Sequence, residues 1–388
     1  MKIITVLAEY NPFHKGHLYH LEKIRELHNP DYIIVLMSGS FTQRGEPAIQ
    51  SKWLRATNAI NCGADIVFEF PCSLSTLPAT DYANTAVNIF DSMNVVTHMS
   101  FGVSDISIDK LNHWKQEMEK PELSHELSSY ISKGTSFPKA LEEYFLDKGV
   151  LSDNDKSLWR KPNNILSIQY LHALDKSINM IEHLPIKRNE EFSSASSIRT
   201  QVLKGKYNSI EDNLPHLMLS SLQSEPTFTL ENYKKMFNII SYMTIMDRLI
   251  IPPYYEKGLN NRLISSLKAS DNWHQLAMTM KTKRYPLTRI SRFILHQILQ
   301  YEKEIYLKAI KASWPLKLLA GSKTTAPSLM KEISANSNAE IVTNWSDSKR
   351  LDPQLISFEQ RSTDLYETLL HRTMRKNSDA THHFLLTE

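Results

Sequence analysis

Along the first hundred residues, short unbroken apolar runs alternate with stretches in which apolar side chains recur every three or four positions. The runs are Ile3–Ala8, Tyr32–Met37, Ile66–Phe70 and Val95–Phe101, and the first is rich in β-branched residues. They predict four buried strands. Between them, Gly16–Leu27 (Leu18, Leu21, Ile24, Leu27), Lys52–Asn61 and Ala79–Met93 carry helical spacing. Near-continuous apolar strands alternating with helices predict an α/β fold, a doubly wound parallel sheet covered on both faces.

The segment Asp105–Trp159 reads as helical and charged, most densely from Lys115 to Glu122, and is expected as an insertion at about 105–160. Asn163–Leu174 is a predicted helix, Met180–Lys187 a fifth strand, and Ser194–Leu203 a helix opened by the serine-rich turn 193–197. From about Lys206 the alternation fades into long helical patterns: Leu230–Leu249, Asn260–Leu267, Asn272–Thr279 and Arg289–Glu304. A strand–helix pair around Trp314–Ile333 interrupts them. The pattern gives two domains: a Rossmann-like nucleotide-binding domain over 1–205 and a mainly α-helical one over 206–388, with the last ten residues frayed.

Composition changes this picture little. The chain has 388 residues, 41% hydrophobic and 22% charged, with a net charge of +3, as ordinary soluble globular proteins do. So mild a charge names no partner, and local clustering must decide. The only cysteines are Cys62 and Cys72, which excludes a disulfide framework and fits a reducing cytoplasm. The apolar run at the N-terminus stops at Glu9, too short for a signal-peptide core or a membrane span.

The chemistry concentrates where the first strand meets the first helix, at His14-Lys15-Gly16-His17. In a doubly wound sheet, ligands bind at the carboxyl ends of strands. A helix N-terminus there attracts anions, and Gly16 allows close backbone approach. Two histidines can donate hydrogen bonds to phosphate oxygens as charge builds in a transition state. This is the logic of the HxGH nucleotidyltransferase signature, with His14 and His17 as candidate catalytic residues. A surface histidine pair or part of a zinc site is the competing reading, but no third clustered ligand is apparent and no metal site is expected. A second signature, Ser196-Ser197-Ile198-Arg199, stands at another helix start, where hydroxyls, N–H groups and a forked guanidinium can hold phosphates. Gly321-Ser322-Lys323-Thr324 lacks the glycine spacing of a P-loop.

Several longer blocks resemble the tRNA(Met) cytidine acetate ligase (TmcAL) family. They are Glu9 to His20, Met37 to Ala48 with Lys52-Trp53, Gly63 to Pro71, Phe101-Gly102, Lys161 to Leu166, and Lys283-Arg284-Tyr285 with Thr288-Arg289. The resemblance spans both halves of the chain. It departs at Ser167, at Val103-Ser104, and in a shortened stretch between Arg188 and Ser194. The resemblance implies a ligase that adenylates acetate with ATP, releasing pyrophosphate, and passes the acetyl group to N4 of the wobble cytidine of elongator tRNA(Met). By the same resemblance, the nucleotide site is Leu7, Ala8, Glu9, Tyr10, Asn11, Pro12, Phe13, His14, Lys15, Gly16, His17, Leu18, Tyr19 and His20, with Gly102, Asn163 and Arg188. Ser196, Ser197 and Arg199 would bind the phosphate tail. ATP brings an expectation of Mg2+.

The segment 281–292 holds five basic residues, Lys281, Lys283, Arg284, Arg289 and Arg292, and no acid. Spacing puts Arg289, Arg292 and His296 on one helical face, a stripe suited to a tRNA backbone and otherwise a solvated basic face. Two alternatives stay open. A small-metabolite adenylyltransferase would need little beyond the first half of the chain. A non-catalytic RNA-binding module would have no need of His14, Gly16, His17 and Arg199. Neither a membrane nor an obligatory protein partner is expected.

Overall fold

The computed structural model describes residues 1–131, 136–382 and 384–387. Its sheet holds eight strands among the described residues: β1 (Ile3–Ala8), β2 (Tyr32–Ser38), β3 (Ile66–Phe70), β4 (His98–Val103), β5 (Glu182–Lys187), β6 (Leu316–Ser322), β7 (Ile341–Val342) and β8 (Leu385–Thr387). The order is β5-β4-β1-β2-β3-β6-β7, with β8 also paired to β6. The first five strands are mutually parallel, and β6 runs antiparallel to β3. From β1 the chain winds outward through β2 and β3, then returns to place β4 and β5 on the other flank. The winding reverses between β1 and β4, which is where a doubly wound sheet opens a ligand crevice.

Alternate strand residues point to opposite faces, and both faces are apolar. Ile4, Val6, Ile33, Val35 and Val67 pack under the helices Lys15–His28, Lys52–Asn61 and Ala195–Leu203. Ile3, Ile34, Leu36, Phe68 and Phe70 pack on the other side, against Ala79–Ser92 and Pro162–Leu174. Burial on both sides explains why these strands read as continuous apolar runs. The inserted region is helical as expected (Ile108–Met118, Leu123–Ile131, Phe137–Asp147); positions 132–135 lie outside the described residues.

The second half departs from expectation in three ways. It supplies β6, β7 and β8 to the same sheet rather than remaining apart from it. The helix expected over Arg289–Glu304 ends at Leu299, because Gln300 turns left-handed (φ 52°) and a second helix begins at Lys303. Described residues near the C-terminus are held rather than frayed: Leu385–Thr387 pairs with β6, and Asp379 is buried. A buried quartet explains the tail. Lys52 Nζ lies 2.8 Å from Glu69 and 2.7 Å from Asp379, and Lys317 Nζ lies 2.8 Å from Glu69 and also bonds Asp379. Two cations and two anions from four distant segments neutralise one another inside the core. No described helix is long and apolar enough to cross a membrane.

Candidate active site

The first helix begins with an unusual cap. His14 is its N-cap residue, and its Nδ1 accepts the N–H of Gly16 at 3.0 Å. In return, Nδ1 of His17 accepts the N–H of His14 at 3.2 Å. This is the reciprocal geometry of a capping box, made by two imidazoles instead of a hydroxyl and a carboxylate. The rings stack with centroids 3.8 Å apart. Gly16 makes the arrangement possible: a Cβ there would sit 2.8 Å from Cε1 of the His14 ring.

The cap fixes the chemistry of both rings. A backbone N–H can only donate, so each Nδ1 offers a lone pair and each neutral ring carries its proton on Nε2. Burial pushes the His14 pKa down to about 4, helped by Arg188 and Arg199. Burial also pushes His17 well below the ordinary histidine value, with His14, His20 and Arg188 adding repulsion. The two side chains are therefore neutral donors at physiological pH. Tyr10 and Phe13, both buried, wall the His17 ring at centroid distances of 4.9 and 5.5 Å.

Other expected residues converge on this crevice from across the sheet. His20 Nε2 is 2.9 Å from Ser100 Oγ on β4 and so bridges the two sides of the winding reversal. Burial and Arg188 lower its pKa to about 4. The Arg188 side chain lies over Gly102, where a Cβ would meet its Cγ at 3.1 Å. Its guanidinium has no hydrogen-bond partner among the described residues, yet its charge reaches His14, His17 and His20. Asn163 stands in the first turn of Pro162–Leu174. Its neighbour Asn164 ties that helix to the end of β4 by bonding both N–H and C=O of Ser104.

Arg199 reaches the loop after β1, donating to the carbonyl of Asn11 at 2.8 Å and pairing with Glu46 at 3.1 Å. Ser196 and Ser197 are exposed in the first turn of their helix, which Ser194 caps. Lys15 lies half-buried at the first position of its helix. Among the described residues, no group of three or more His, Cys, Asp or Glu gathers as a metal site.

Sequence reasoning missed the frame beneath. Arg55 is fully buried and donates to the carbonyls of Glu9, Ser38, Gly39 and Gln50, pinning the ends of β1 and β2 together. It also missed Phe192, whose Cβ lies 3.7 Å from where a Gly16 Cβ would be. Neither residue belongs to a spacing pattern that could have announced it.

The basic segment is divided. Lys281 and Lys283 are exposed and have no ion-pair partner among the described residues. Arg284 is exposed too but pairs with Glu256 at 2.8 Å. Arg289 lies over the Tyr255 and Tyr285 rings, at 5.7 and 5.2 Å. Arg292 turns inward and donates to the Gln43 carbonyl at 3.0 Å, while His296 is buried against Thr76. The expected stripe is therefore broken: Arg292 and His296 turn inward, and Arg289, half-buried over the tyrosine rings, stays partly at the surface. Helical spacing placed all three on one side, and Arg292 on that side meets the loop 39–47. Gly45 (φ +76°) meets the backbone there, and a Cβ would lie 2.3 Å from the nitrogen of Arg292.

Comparison with known proteins agrees with this geometry. Residues 1–381 match the model of the HIGH Nucleotidyl Transferase family. The chain is 30% identical to the tRNA(Met) cytidine acetate ligase of Clostridium perfringens (strain ATCC 13124), covering 98% of each protein. It is 33% identical to that of Clostridium novyi (strain NT), covering 88% of this chain and 89% of the relative. Thermotoga maritima TmcAL bound with alpha-thio ATP superposes with a TM-score of 0.87 at 30% identity, over the full length of both chains. The chain belongs to the HIGH nucleotidyl transferases and, among them, to the tRNA(Met) cytidine acetate ligase family.

Proposed function

We propose that this protein is an ATP-dependent ligase that activates acetate as acetyl-adenylate, releases pyrophosphate, and transfers the acetyl group to N4 of the wobble cytidine of elongator tRNA(Met). The observation that carries the reading is the neutral His14–His17 pair at a helix start, beside an unpaired Arg188 at the winding reversal of the sheet. The names of the relatives supply acetate ligase and tRNA(Met), and the alpha-thio ATP of the Thermotoga protein supplies the nucleotide.

In this reading ATP lies along residues 7–20, with its α-phosphate at the N-terminus of the first helix. An acetate oxygen attacks the α-phosphorus in line and the bond to pyrophosphate breaks. His14 and His17 donate their Nε2–H bonds to the oxygens on which charge builds, and neutral rings do so without repelling the nearby arginines. Arg188 stabilises the same charge. Gly102 and Asn163 border the nucleotide on the β4 side, and Ser196, Ser197 and Arg199 hold the departing phosphates. Mg2+ accompanies the phosphates as part of the ATP substrate. Lys281, Lys283, Arg284 and Arg289 present the tRNA backbone with positive charge, and Tyr285 offers a ring for stacking. The helical portion after 206 is the tRNA-facing part, and the protein acts in the cytoplasm.

The test is incubation with ATP, radiolabelled acetate and unmodified tRNA(Met), followed by nucleoside analysis. Labelled N4-acetylcytidine is expected. Folded protein that leaves the tRNA unlabelled while adenylating another small substrate would refute the reading.

A further inference from the structure

The second half of the proposed reaction needs something the histidines do not provide. When the cytidine amine attacks the acetyl carbonyl, a C–N bond forms and the C–O bond to AMP breaks. One proton must leave the nitrogen. His14 and His17 have both Nδ1 lone pairs occupied by backbone N–H groups and carry protons on Nε2, so neither has a free lone pair. His20 holds its Nε2 against Ser100 Oγ, which fixes the ring on the β4 side of the loop.

We infer that Glu9 is the general base of acetyl transfer. Glu9 directly follows β1, five positions before His14 in the same loop. Oε1 accepts the N–H of Gln43 at 2.9 Å, and among the described residues Oε2 has no hydrogen-bond partner. Burial raises its pKa, against the lowering pull of Arg199 and Arg44. The other acid at this edge, Glu46, is paired with Arg199.

Position supports the role. Arg188, Gly102 and His20 mark the β4 side of the loop, where the nucleotide is proposed to lie. Within the loop along which ATP is proposed to lie, Glu9 turns its carboxylate toward the loop 39–47, where Oε1 meets Gln43. Gln43 accepts a hydrogen bond from Arg292 through its carbonyl while it donates its N–H to Glu9. One residue thus joins the helix that follows the basic segment to the candidate base. An acceptor nucleoside delivered from that side meets Glu9. The carboxylate takes the N4 proton as the bond to carbon forms, and AMP leaves with the electron pair of the broken C–O bond. Arg292 acts through Gln43 as a positioning residue.

This inference rests on the proposed acetyl transfer, and the two half-reactions test it separately. Acetate-dependent ATP–pyrophosphate exchange reports activation, and single-turnover labelling of tRNA(Met) reports transfer. Glu9→Gln keeps the acceptor for Gln43 and removes the base. Transfer is expected to fall at least ~100-fold more than exchange, with partial recovery in Glu9→Asp. Wild-type transfer should rise with pH through a raised carboxylate pKa, and that limb should vanish in Glu9→Gln. The charged and titratable groups facing Glu9 are Arg44 and Glu46 on the loop, Arg199, the buried Arg55, and Tyr82 and Tyr170 from the two helices below. Equal loss in both half-reactions, or transfer at the wild-type rate because the adenylate phosphate takes the proton, would overturn the assignment. Failure of wild-type protein to label tRNA would instead refute the proposed function.

Discussion

Adding one methyl group at Gly16 should separate stability from catalysis. Gly16 is the second residue of its helix, and a Cβ there would stand 2.8 Å from Cε1 and 3.0 Å from Nδ1 of His14. Backbone and ring cannot both stay, so the ring swings away and its bond to the Gly16 N–H is lost. A lost N-cap costs roughly 0.5–2 kcal/mol. Replacing glycine by alanine in a helix returns up to about 1 kcal/mol. The net change in stability is therefore within about 1 kcal/mol, a shift of a few degrees in Tm at most. Catalysis should respond differently. With the ring turned, His14 Nε2–H no longer aims at the phosphate, and loss of one such donor costs about 2.7–4 kcal/mol in the transition state, or 100- to 1000-fold in rate. Acetate-dependent ATP–pyrophosphate exchange with purified Gly16→Ala, beside a thermal melt, measures both. Exchange within about threefold of wild type in a protein that melts normally would refute the role given to the histidine cap.

Three further expectations address the core and the basic segment. Asp379→Asn leaves Lys52 and Lys317 with only Glu69 between them; an uncompensated buried charge costs about 3–5 kcal/mol, to be read by urea unfolding, and a loss under about 1 kcal/mol would show the quartet to be incidental. His296 is held neutral by burial, its pKa lowered to about 3. The unfolded chain then binds a proton that the folded one refuses, so stability drains away as pH falls below about 6.5, by up to ~1.4 kcal/mol per pH unit. His296→Gln lacks this loss, so its stability relative to wild type should improve between pH 6 and pH 5; a gap independent of pH would contradict a neutral buried histidine. Finally, removing the free charges of Lys281 and Lys283 should weaken tRNA binding and flatten its salt dependence, whereas Arg292→Met, which removes an inward-facing charge, should leave the salt slope nearly as it was. Similar slopes for the two variants would deny the division of the segment.

What the sequence discloses, and what it conceals, follows from how far apart the cooperating residues lie. β1 to β3 are legible because each is buried on both faces and is nearly all apolar, which leaves a local signature, whereas the edge strand β5 keeps Glu182, His183 and Lys187 exposed. The HxGH loop is legible because strand, glycine, histidines and helix are consecutive. Concealed features depend on pairings across hundreds of positions. Lys317 and Asp379 look like ordinary surface charges until Lys52 and Glu69 are brought against them. Arg55 resembles any helix arginine until four carbonyls surround it. Periodicity did place Arg289, Arg292 and His296 on one face; it could not say that Arg292 turns to Gln43 and His296 to Thr76 while Arg289 covers two tyrosine rings.

That misplacement carries the functional argument further than a solvent stripe would have. A stripe facing water could only attract tRNA. An inward Arg292, bonded to the same residue that holds Glu9, joins the place where the acceptor is proposed to dock to the place where its proton is proposed to go. Gly45, pressed against the backbone at Arg292, makes the link stiff, since any side chain there would push the loop away from the helix. In the proposed reading the histidine cap and the Gln43 bridge divide the site by step: proton donors where phosphate charge is proposed to build, and a proton acceptor where the amine is proposed to arrive.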